Sequence, residues 1–422
     1  MTRQQSSSMG GGVADLLHPV ACHLFGGELP VRLRAWDGSE AGPPEGPAVV
    51  LRSPQALRRL LWHPGELGLA QAYVTGELDV DGDITDGLRS AWRAVSERGV
   101  PGGTTRGRRL SAAGWAATAR AAVALHIPGP RPPAPATQAR LTGRLHSRGR
   151  DRAAISHHYD APPAFYQLIL DPAMAYSCAL WTSSDPGYTL ADAQRDKLDV
   201  ICRKLELGPG VRLLDVGCGW GSLSVHAAAI HGADVTAVTL AREQARFVRD
   251  RIAKAGVAGQ VAVHNKDYRD IGSGQHDAVA SVEMGEHVGD REYPAFCAQL
   301  HALVKPGGRL LVQQMSRRTV APGGGKFIES YIAPDMHMRP VGQTIGLLED
   351  AGFEVLEVQA MREHYTRTIR AWLAALEECV DEVTAVIGAE SARVWRLYLA
   401  GGALAFEQGR MGVHQILAVR PA

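Results

Sequence analysis

The chain has few features that would commit it to a metal, a disulfide framework or a nucleic acid. Its 422 residues contain six cysteines, with neither a Cys-x-x-Cys pair nor the cysteine–histidine spacing of a zinc site. The formal net charge is +1, so no overall field would draw the chain to nucleic acid. No apolar run approaches the roughly 20 residues that span a bilayer, and the Ser- and Gly-rich N-terminus lacks a signal peptide's apolar core. We therefore expect a cytoplasmic protein without a metal centre, whose membrane contact is peripheral.

The charges that are present are unevenly distributed. Arginines are concentrated between residues 106 and 152, where Asp151 is the only acid. An arginine-rich, acid-poor segment flanked by prolines suits contact with anionic phosphate surfaces. A solvated linker, whose charge only keeps the chain in solution, explains the same pattern equally well.

The length suits two domains, and residues 1–127 are predicted to form the smaller one, of α+β type. Alternating apolar residues predict strands there, and a capping serine followed by proline predicts a helix start. The expected strands and helices are 31–36, 48–52, 53–62 and 111–126.

A proline-rich stretch then interrupts regular structure, and residues 128–152 are predicted to be a linker. Beyond it, in residues 153–422, short apolar strands alternate with helices such as 244–255 and 293–303. The expected strands are 211–216, 234–239, 261–264, 278–282, 308–313 and a later hairpin-like pair at 354–359 and 414–419. This alternation predicts an α/β fold with a doubly wound parallel sheet that binds its ligand at the carboxyl ends of the strands.

The most informative segment is Leu213–Ser222, where an apolar strand ends at Asp215 and glycines follow at 217, 219 and 221. Such a turn brings bare backbone close to a ligand. The glycine spacing differs from that of a dinucleotide-binding turn, and no Lys-Ser/Thr follows for a nucleotide phosphate. The pattern resembles the loop of class I methyltransferases, a Rossmann-like fold, which packs against S-adenosylmethionine (SAM). A tight turn that holds nothing is the alternative.

Polar residues just beyond the other strands are expected to complete this site. Those after the second strand would lie near the ribose and methionine of SAM, and those after the third near its adenine. Two carboxylates and an imidazole in Glu283–His287 follow the fourth strand, where catalysis or ligand orientation is favoured over a solvated loop. The residues expected to bind the cofactor are Tyr176, Ser177, Asp215, Gly217, Cys218, Gly219, Trp220, Gly221, Thr239, Leu240, Gln244, Asp267 and Tyr268.

Five motifs follow one another along the chain: His-Tyr-Asp at 158–160, Tyr-Ser-Cys-Ala at 176–179, Leu-Asp-Val-Gly-Cys-Gly-Trp-Gly at 214–221, Phe-Ile-Glu-Ser-Tyr-Ile at 327–332 and His-Tyr at 364–365. Together they resemble the family of cyclopropane-fatty-acyl-phospholipid synthases and mycolic acid cyclopropane synthases, which modify lipids with SAM. The likeness runs from about residue 156 to 421 and more weakly through 68–79. It implies a first domain that serves lipid binding and dimer formation.

The resemblance also implies a reaction and its residues. The methyl group of SAM would add to the cis double bond of an unsaturated phospholipid chain, and a bound bicarbonate ion would deprotonate the resulting carbocation to close a cyclopropane ring. The implied catalytic residues are Glu286, Tyr365 and Cys178, with His287 as a weaker candidate. Gln313 stands where the family has a histidine; it can hydrogen-bond an anion but cannot carry positive charge.

Two further departures bear on this chemistry. The segment around 322–338 differs from the family, so the lid over the acyl pocket is expected to differ, and Gly402 replaces a cysteine once proposed as catalytic. A methylene- or methyl-branched product therefore stays open as an alternative to the ring, as does an isoprenoid or other alkene substrate. A protein that has lost catalysis and serves as a lipid-binding or partner subunit is the alternative of a different class.

Overall fold

The computed structural model describes residues 12–25, 27–97, 112–158, 161–272, 275–318, 321–322 and 325–422. The chain divides into two compact units, Met1–Gln138 and Ala139–Ala422, and the boundary falls within the segment predicted as a linker. Tyr159 and Asp160 of the first motif lie outside the described residues, as do the arginines at 106–109. Among the described helices, none combines the length and the apolarity needed to cross a membrane.

The first unit contains a four-stranded sheet in the order β2-β1-β3-β4, in which β1 and β3 are parallel and the other neighbours antiparallel. The predicted helix cap is confirmed, because the Ser53 hydroxyl accepts a hydrogen bond from the Gln55 N–H at 3.2 Å. The strands are β1 (Arg32–Arg34), β2 (Glu40–Ala41), β3 (Ala48–Leu51) and β4 (Leu78–Asp81). The helices are α1 (Val13–Phe25), α2 (Pro54–Trp62), α3 (Glu66–Val74), α4 (Ile84–Glu97) and α5 (Ala112–Ala124).

The second unit is built on a seven-stranded sheet in the order β12-β13-β9-β8-β5-β6-β7. Its strands are β5 (Arg212–Val216), β6 (Asp234–Thr239), β7 (Val261–Asn265), β8 (His276–Val282), β9 (Val304–Ser316), β12 (Glu354–Ala360) and β13 (Gly412–Val419), and a separate small pair comprises β10 (Ala321–Pro322) and β11 (His337–Met338). The five neighbouring strands β7, β6, β5, β8 and β9 are parallel to one another. Strand β13 lies between β9 and β12 and is antiparallel to both. Every predicted strand of this domain is present, although the last pair is separated by three helices and is therefore not a hairpin.

Helices cover both faces of this sheet. The helices of this unit are α6 (Arg148–His158), α7 (Pro163–Ile169), α8 (Leu190–Lys204), α9 (Ser222–His231), α10 (Arg242–Lys254), α11 (Tyr293–Leu303), α12 (Lys326–Tyr331), α13 (Val341–Asp350), α14 (Arg362–Glu378), α15 (Val380–Ile387) and α16 (Ala389–Glu407). Successive residues of β5 enter opposite cores, since Leu213 packs in one cluster and Leu214 in the other. A sheet buried on both faces leaves its polar side chains at the strand ends, where the ligand is expected.

The start of the second unit is fixed to its sheet domain by ion pairs. Arg150 forms two hydrogen bonds with the Asp335 carboxylate, at 2.6 and 2.9 Å, and Arg148 contacts Asp270 at 2.9 Å. These two arginines therefore have acidic partners, whereas Arg140 and Arg144 are exposed.

Candidate active site

The glycine-rich loop after β5 has the conformation that its sequence predicts. Gly219 and Gly221 both lie in the left-handed region, with φ of 51° and 81°. A Cβ at Gly219 would meet nothing within 4 Å, so open space faces this residue. A Cβ at Gly221 would lie 2.8 Å from Val248 Cγ1 on α10. The loop therefore exposes backbone at 219 and needs glycine at 221 for helix packing.

A cavity lies at the carboxyl ends of β5, β6 and β8, and encloses about 1230 Å³ of space that is partly open to solvent. All the residues expected to bind the cofactor line it except Gly221 and Asp267. The Asp267 carboxylate is bound instead by Arg269, at 2.8 Å from Nε and 2.6 Å from the terminal nitrogen. Asp267 thus positions Arg269, which does line the cavity, while its neighbour Tyr268 lines the cavity directly.

Two buried donors in the cavity wall fit a ligand rich in oxygen acceptors. Gln244 Nε2 and Trp220 Nε1 have no hydrogen-bond partner among the described residues. The Thr239 hydroxyl donates to Gln244 Oε1 at 2.7 Å. This bond identifies the oxygen of the Gln244 amide and leaves Nε2 as the end without a partner. Because a buried donor without a partner is costly, these N–H groups suit the carboxylate and ribose hydroxyls of SAM. The cavity therefore fits this cofactor, which supplies an electrophilic methyl group when bound.

Of the two carboxylates that follow β8, Glu283 is the one that faces the cavity. Its Oε1 accepts hydrogen bonds from the Cys178 backbone N–H and from Gln313 Nε2, both at 2.8 Å. Its Oε2 accepts a bond from the Tyr365 hydroxyl at 2.6 Å. The segment at 176–179, β9 and α14 thus converge on one carboxylate.

Glu286 lies behind this position and does not line the cavity. It is buried, and its Oε1 accepts a hydrogen bond from the Met315 N–H at 2.5 Å. Burial, followed by the nearby Glu283 charge, raises the pKa of Glu286 to about 8, so this group is neutral at pH 7. By geometry Glu283, and not the Glu286 expected from the sequence, presents its carboxylate to the cavity.

A chain of amides fixes the direction of the Gln313 donor. Lys204 Nζ can only donate, and it does so to Gln415 Oε1 at 3.0 Å. The Gln415 amide nitrogen must then face Gln313 Oε1, at 2.9 Å. Gln313 is left with its nitrogen towards Glu283, so this residue acts as a donor to the carboxylate.

The remaining predicted catalytic groups are neutral. Burial raises the pKa of the Cys178 thiol and of the Tyr365 hydroxyl well above their usual values, so both stay protonated. His287 lines the cavity, and burial lowers the pKa of its ring to about 4. The donors that the family resemblance assigns to bicarbonate, which include Cys178, Tyr365 and Gln313, are already bonded to Glu283. The residues present do not fit an additional bicarbonate ion there.

Sequence analysis missed several charged residues of the cavity, and the buried one among them is Lys197 on α8. Its side chain is buried, lines the cavity and donates from Nζ to the Ser177 hydroxyl at 2.9 Å. A signal was present, because Lys197 is four residues from both Ala193 and Ile201 on the buried face of the helix. A lysine on the buried face of an amphipathic helix indicates a charged group that serves a site in the interior.

The structure also brings together a group of possible metal ligands that the sequence spacing did not reveal. Ligand atoms of Cys202, His226 and His231 lie within 4.8 Å of one another. Both histidine rings, however, bond through Nε2 to the Asp199 carboxylate, at 2.8 and 3.3 Å. Cys202 belongs to the apolar core, where burial raises the pKa of its thiol to about 12. These contacts explain the cluster as a hydrogen-bonded seam between α8 and α9.

The sheet order, the reversed β13 and the cavity beside the glycine-rich loop define a class I SAM-dependent methyltransferase. Within this class, residues 146–416 match the mycolic acid cyclopropane synthetase family, and the chain belongs to it. The expected family and fold are thereby confirmed.

Several relatives are similar over nearly the whole chain. A probable fatty acid methyltransferase of Pseudomonas putida is 36% identical over 93% of this chain and 92% of its own length. The tuberculostearic acid methyltransferase UfaA1 of Mycobacterium tuberculosis is 33% identical over 96% and 90%. Among solved structures, the cyclopropane synthase MmaA2 of Mycobacterium tuberculosis is 29% identical, with a TM-score of 0.60 over 66% of this chain and 100% of its own. A second, CmaA1 complexed with SAH, has the same identity and TM-score over 64% and 98%.

Proposed function

We propose that this enzyme transfers the methyl group of SAM to a carbon of the cis double bond in an unsaturated phospholipid acyl chain. The names of its relatives refer to fatty acids and to cyclopropane synthases, which supports a lipid alkene as the acceptor. An isolated alkene is a weak nucleophile and has no acidic proton to lose before it reacts. The enzyme must therefore hold the alkene against the methyl group in a dry site, and a base must act only after transfer.

The single observation that carries this proposal is the Glu283 carboxylate in the cavity wall. A developing carbocation needs a negative group close by and a surface that does not react with it. Tyr176 also lines the cavity, and its ring packs against Trp372 and Trp395, with centroids 5.2 and 5.9 Å away. Aromatic faces stabilise cations without trapping them as nucleophiles. Charge and aromatic surface together suit alkene alkylation.

Two endings of the reaction remain as candidates. Loss of a proton from the added methyl group closes a cyclopropane ring, as the names of the solved neighbours suggest. Loss of a proton elsewhere, or hydride migration first, gives a methylene- or methyl-branched chain. The relatives that match nearly the whole chain are named as methyltransferases, which favours the branched ending as the second candidate.

The proposal is tested with purified protein, methyl-labelled SAM and vesicles of phosphatidylglycerol that carries monounsaturated chains. Mass spectrometry should show unsaturated chains that have gained one CH2, with saturated chains unchanged in the same vesicles. A cyclopropane survives mild hydrogenation and gives upfield ring protons in NMR spectra, whereas a methylene branch is reduced and gives vinylidene protons. Label in a nitrogen or oxygen group, with none in the acyl fraction, would contradict the proposed function.

Peripheral contact with an anionic membrane is expected to involve the exposed Arg140 and Arg144 and the apolar side chain of Leu145. Leu145 directly precedes His146, which lines the cavity. Leu145 is 56% exposed. Replacing both arginines by alanine should weaken binding to anionic vesicles by about 1 kcal/mol for each charge removed. The difference should disappear at high salt, because the attraction is screened. Co-sedimentation with phosphatidylglycerol vesicles measures it.

The matched control for this pair is Arg242→Ala with Arg246→Ala, two exposed arginines on α10. This control should bind vesicles as the wild type does. Equal binding by the Arg140/Arg144 variant and the wild type at low salt would show that the segment is only a solvated linker.

A further inference from the structure

The hydrogen bonds of the Glu283 carboxylate leave part of it open to the cavity. A carboxylate offers about four lone-pair sites for hydrogen bonding. Two donors occupy Oε1, namely Cys178 N–H and Gln313 Nε2, and one donor, the Tyr365 hydroxyl, occupies Oε2. One lone pair of Oε2 therefore remains on a side chain that lines the cavity. The same donors that would hold a soluble anion hold this carboxylate, which belongs to the protein.

The backbone at Glu283 is bent into an unusual conformation to place this carboxylate. Glu283 has φ of 52°, in the left-handed region that a residue with a side chain rarely adopts. Its N–H donates to the Gln313 carbonyl at 2.6 Å, which fixes the peptide at the end of β8. Such strain costs on the order of 1–3 kcal/mol and is found mainly at functional sites. Strain at one residue of the cavity wall is consistent with selection for the direction of its side chain.

Burial raises the pKa of the Glu283 carboxyl above its ordinary value. Its three hydrogen-bond donors, and then the Lys197 charge, act in the opposite direction and stabilise the negative form. The neighbouring Glu286 is neutral at pH 7, so it does not compete as a second anion. A carboxylate in these surroundings holds a captured proton more tightly than an exposed one does.

We propose that Glu283 is itself the base of the reaction and replaces the bicarbonate ion that the family resemblance implies. This inference rests on the proposed function. The alkene π electrons form a bond to the sulfonium methyl carbon while its S–C bond breaks, which leaves a carbocation on the acyl chain. A neighbouring C–H bond then breaks, and its electron pair forms a new bond to the cationic carbon. This bond either closes a cyclopropane ring or makes a double bond. The proton passes to Glu283 Oε2, and water removes it before the next turnover.

The first test compares wild-type protein in buffer depleted of bicarbonate and in buffer supplemented with it. Turnover of monounsaturated phosphatidylglycerol vesicles should be the same in both. The Glu283→Gln variant keeps the shape but cannot accept a proton, so its kcat should fall by about 10²- to 10⁴-fold. Its affinity for SAM, measured by calorimetry, should stay close to that of the wild type. The exposed Glu243→Gln on α10 is the matched control and should retain wild-type turnover.

The second test uses Glu283→Ala, which removes the carboxylate and leaves its three donors around an open space. Added bicarbonate or formate should restore part of the activity of this variant in a saturable way, but should not restore Glu283→Gln. Titration with ¹³C-bicarbonate, followed by NMR, should detect binding to Glu283→Ala and none to the wild type. This binding comparison does not depend on the lipid substrate.

Three results would overturn the inference. One is wild-type turnover that is lost on bicarbonate depletion and recovered on its addition, which needs no variant to observe. Another is Glu283→Gln with a kcat near that of the wild type. The third is bicarbonate binding to the wild type at the same affinity as to Glu283→Ala. An absence of acyl methylation by wild type that binds SAM would contradict the proposed function instead, and the bicarbonate titration would still decide the role of Glu283.

Discussion

Lys197→Met is expected to lower both the stability and the activity of the enzyme strongly. Burial lowers the pKa of the Lys197 amine, and the charges of Glu283, Asp171 and Asp215 act in the opposite direction and favour its ammonium form. Methionine keeps the length of the side chain but removes the charge. Breaking a buried charge pair by removal of one partner typically costs about 3–5 kcal/mol, because the remaining charge loses its compensation. Urea denaturation with linear extrapolation measures the loss.

Activity should fall for a related reason. Without the ammonium, Glu283 is stabilised less as an anion, and its pKa rises further. More of the carboxyl is then protonated at pH 7, where it cannot act as a base, so turnover should recover partly as the pH is raised. The exposed Lys254→Met on α10 is the matched control and should change neither quantity. A Lys197→Met protein with wild-type unfolding free energy and turnover would show that the buried carboxylates do not depend on this cation.

Glu286→Gln is expected to stabilise the protein at alkaline pH relative to the wild type. The pKa of Glu286 is about 8 in the folded protein, compared with an ordinary value of 4.5, so the fold favours the protonated acid. Its contribution to stability is complete below the ordinary pKa and is lost as pH rises through the folded value. In this window the wild-type unfolding free energy should fall by up to about 1.4 kcal/mol per pH unit because of this residue. Glutamine resembles the neutral acid and cannot ionise, so it escapes this loss.

Urea denaturation at several pH values between about 5 and 9 compares the two proteins. The difference should grow with pH, and the exposed Glu243→Gln should show no such trend. Asp215, whose pKa burial raises to about 6, contributes to the decline in both proteins and cancels in the comparison. A constant difference across this range would mean that Glu286 is already ionised in the folded protein.

The positions of the strands and of the cofactor loop could be predicted from the sequence. Strands buried on both faces appear as short apolar runs, and the left-handed backbone of the loop after β5 favours glycine. The helix from Tyr293 to Leu303 was predicted with its exact bounds. These features depend on local chemistry, which the sequence contains directly.

The choice between Glu283 and Glu286 could not be made from the sequence, because it depends on the backbone between them. The two are three residues apart, and Gly285–His287 forms a single turn of 3-10 helix. The left-handed φ at Glu283 turns that side chain into the cavity, while Glu286 turns back towards the N–H of Met315. No spacing rule predicts such a conformation for a glutamate.

The position of β13 has a consequence for the biosynthesis of the enzyme. This strand pairs with β9, and its Gln415 orients the amide that holds Glu283. A nascent chain can therefore form the parallel part of the sheet before the Gln313 amide is directed towards Glu283, because that direction is set only when residues 412–419 insert between β9 and β12.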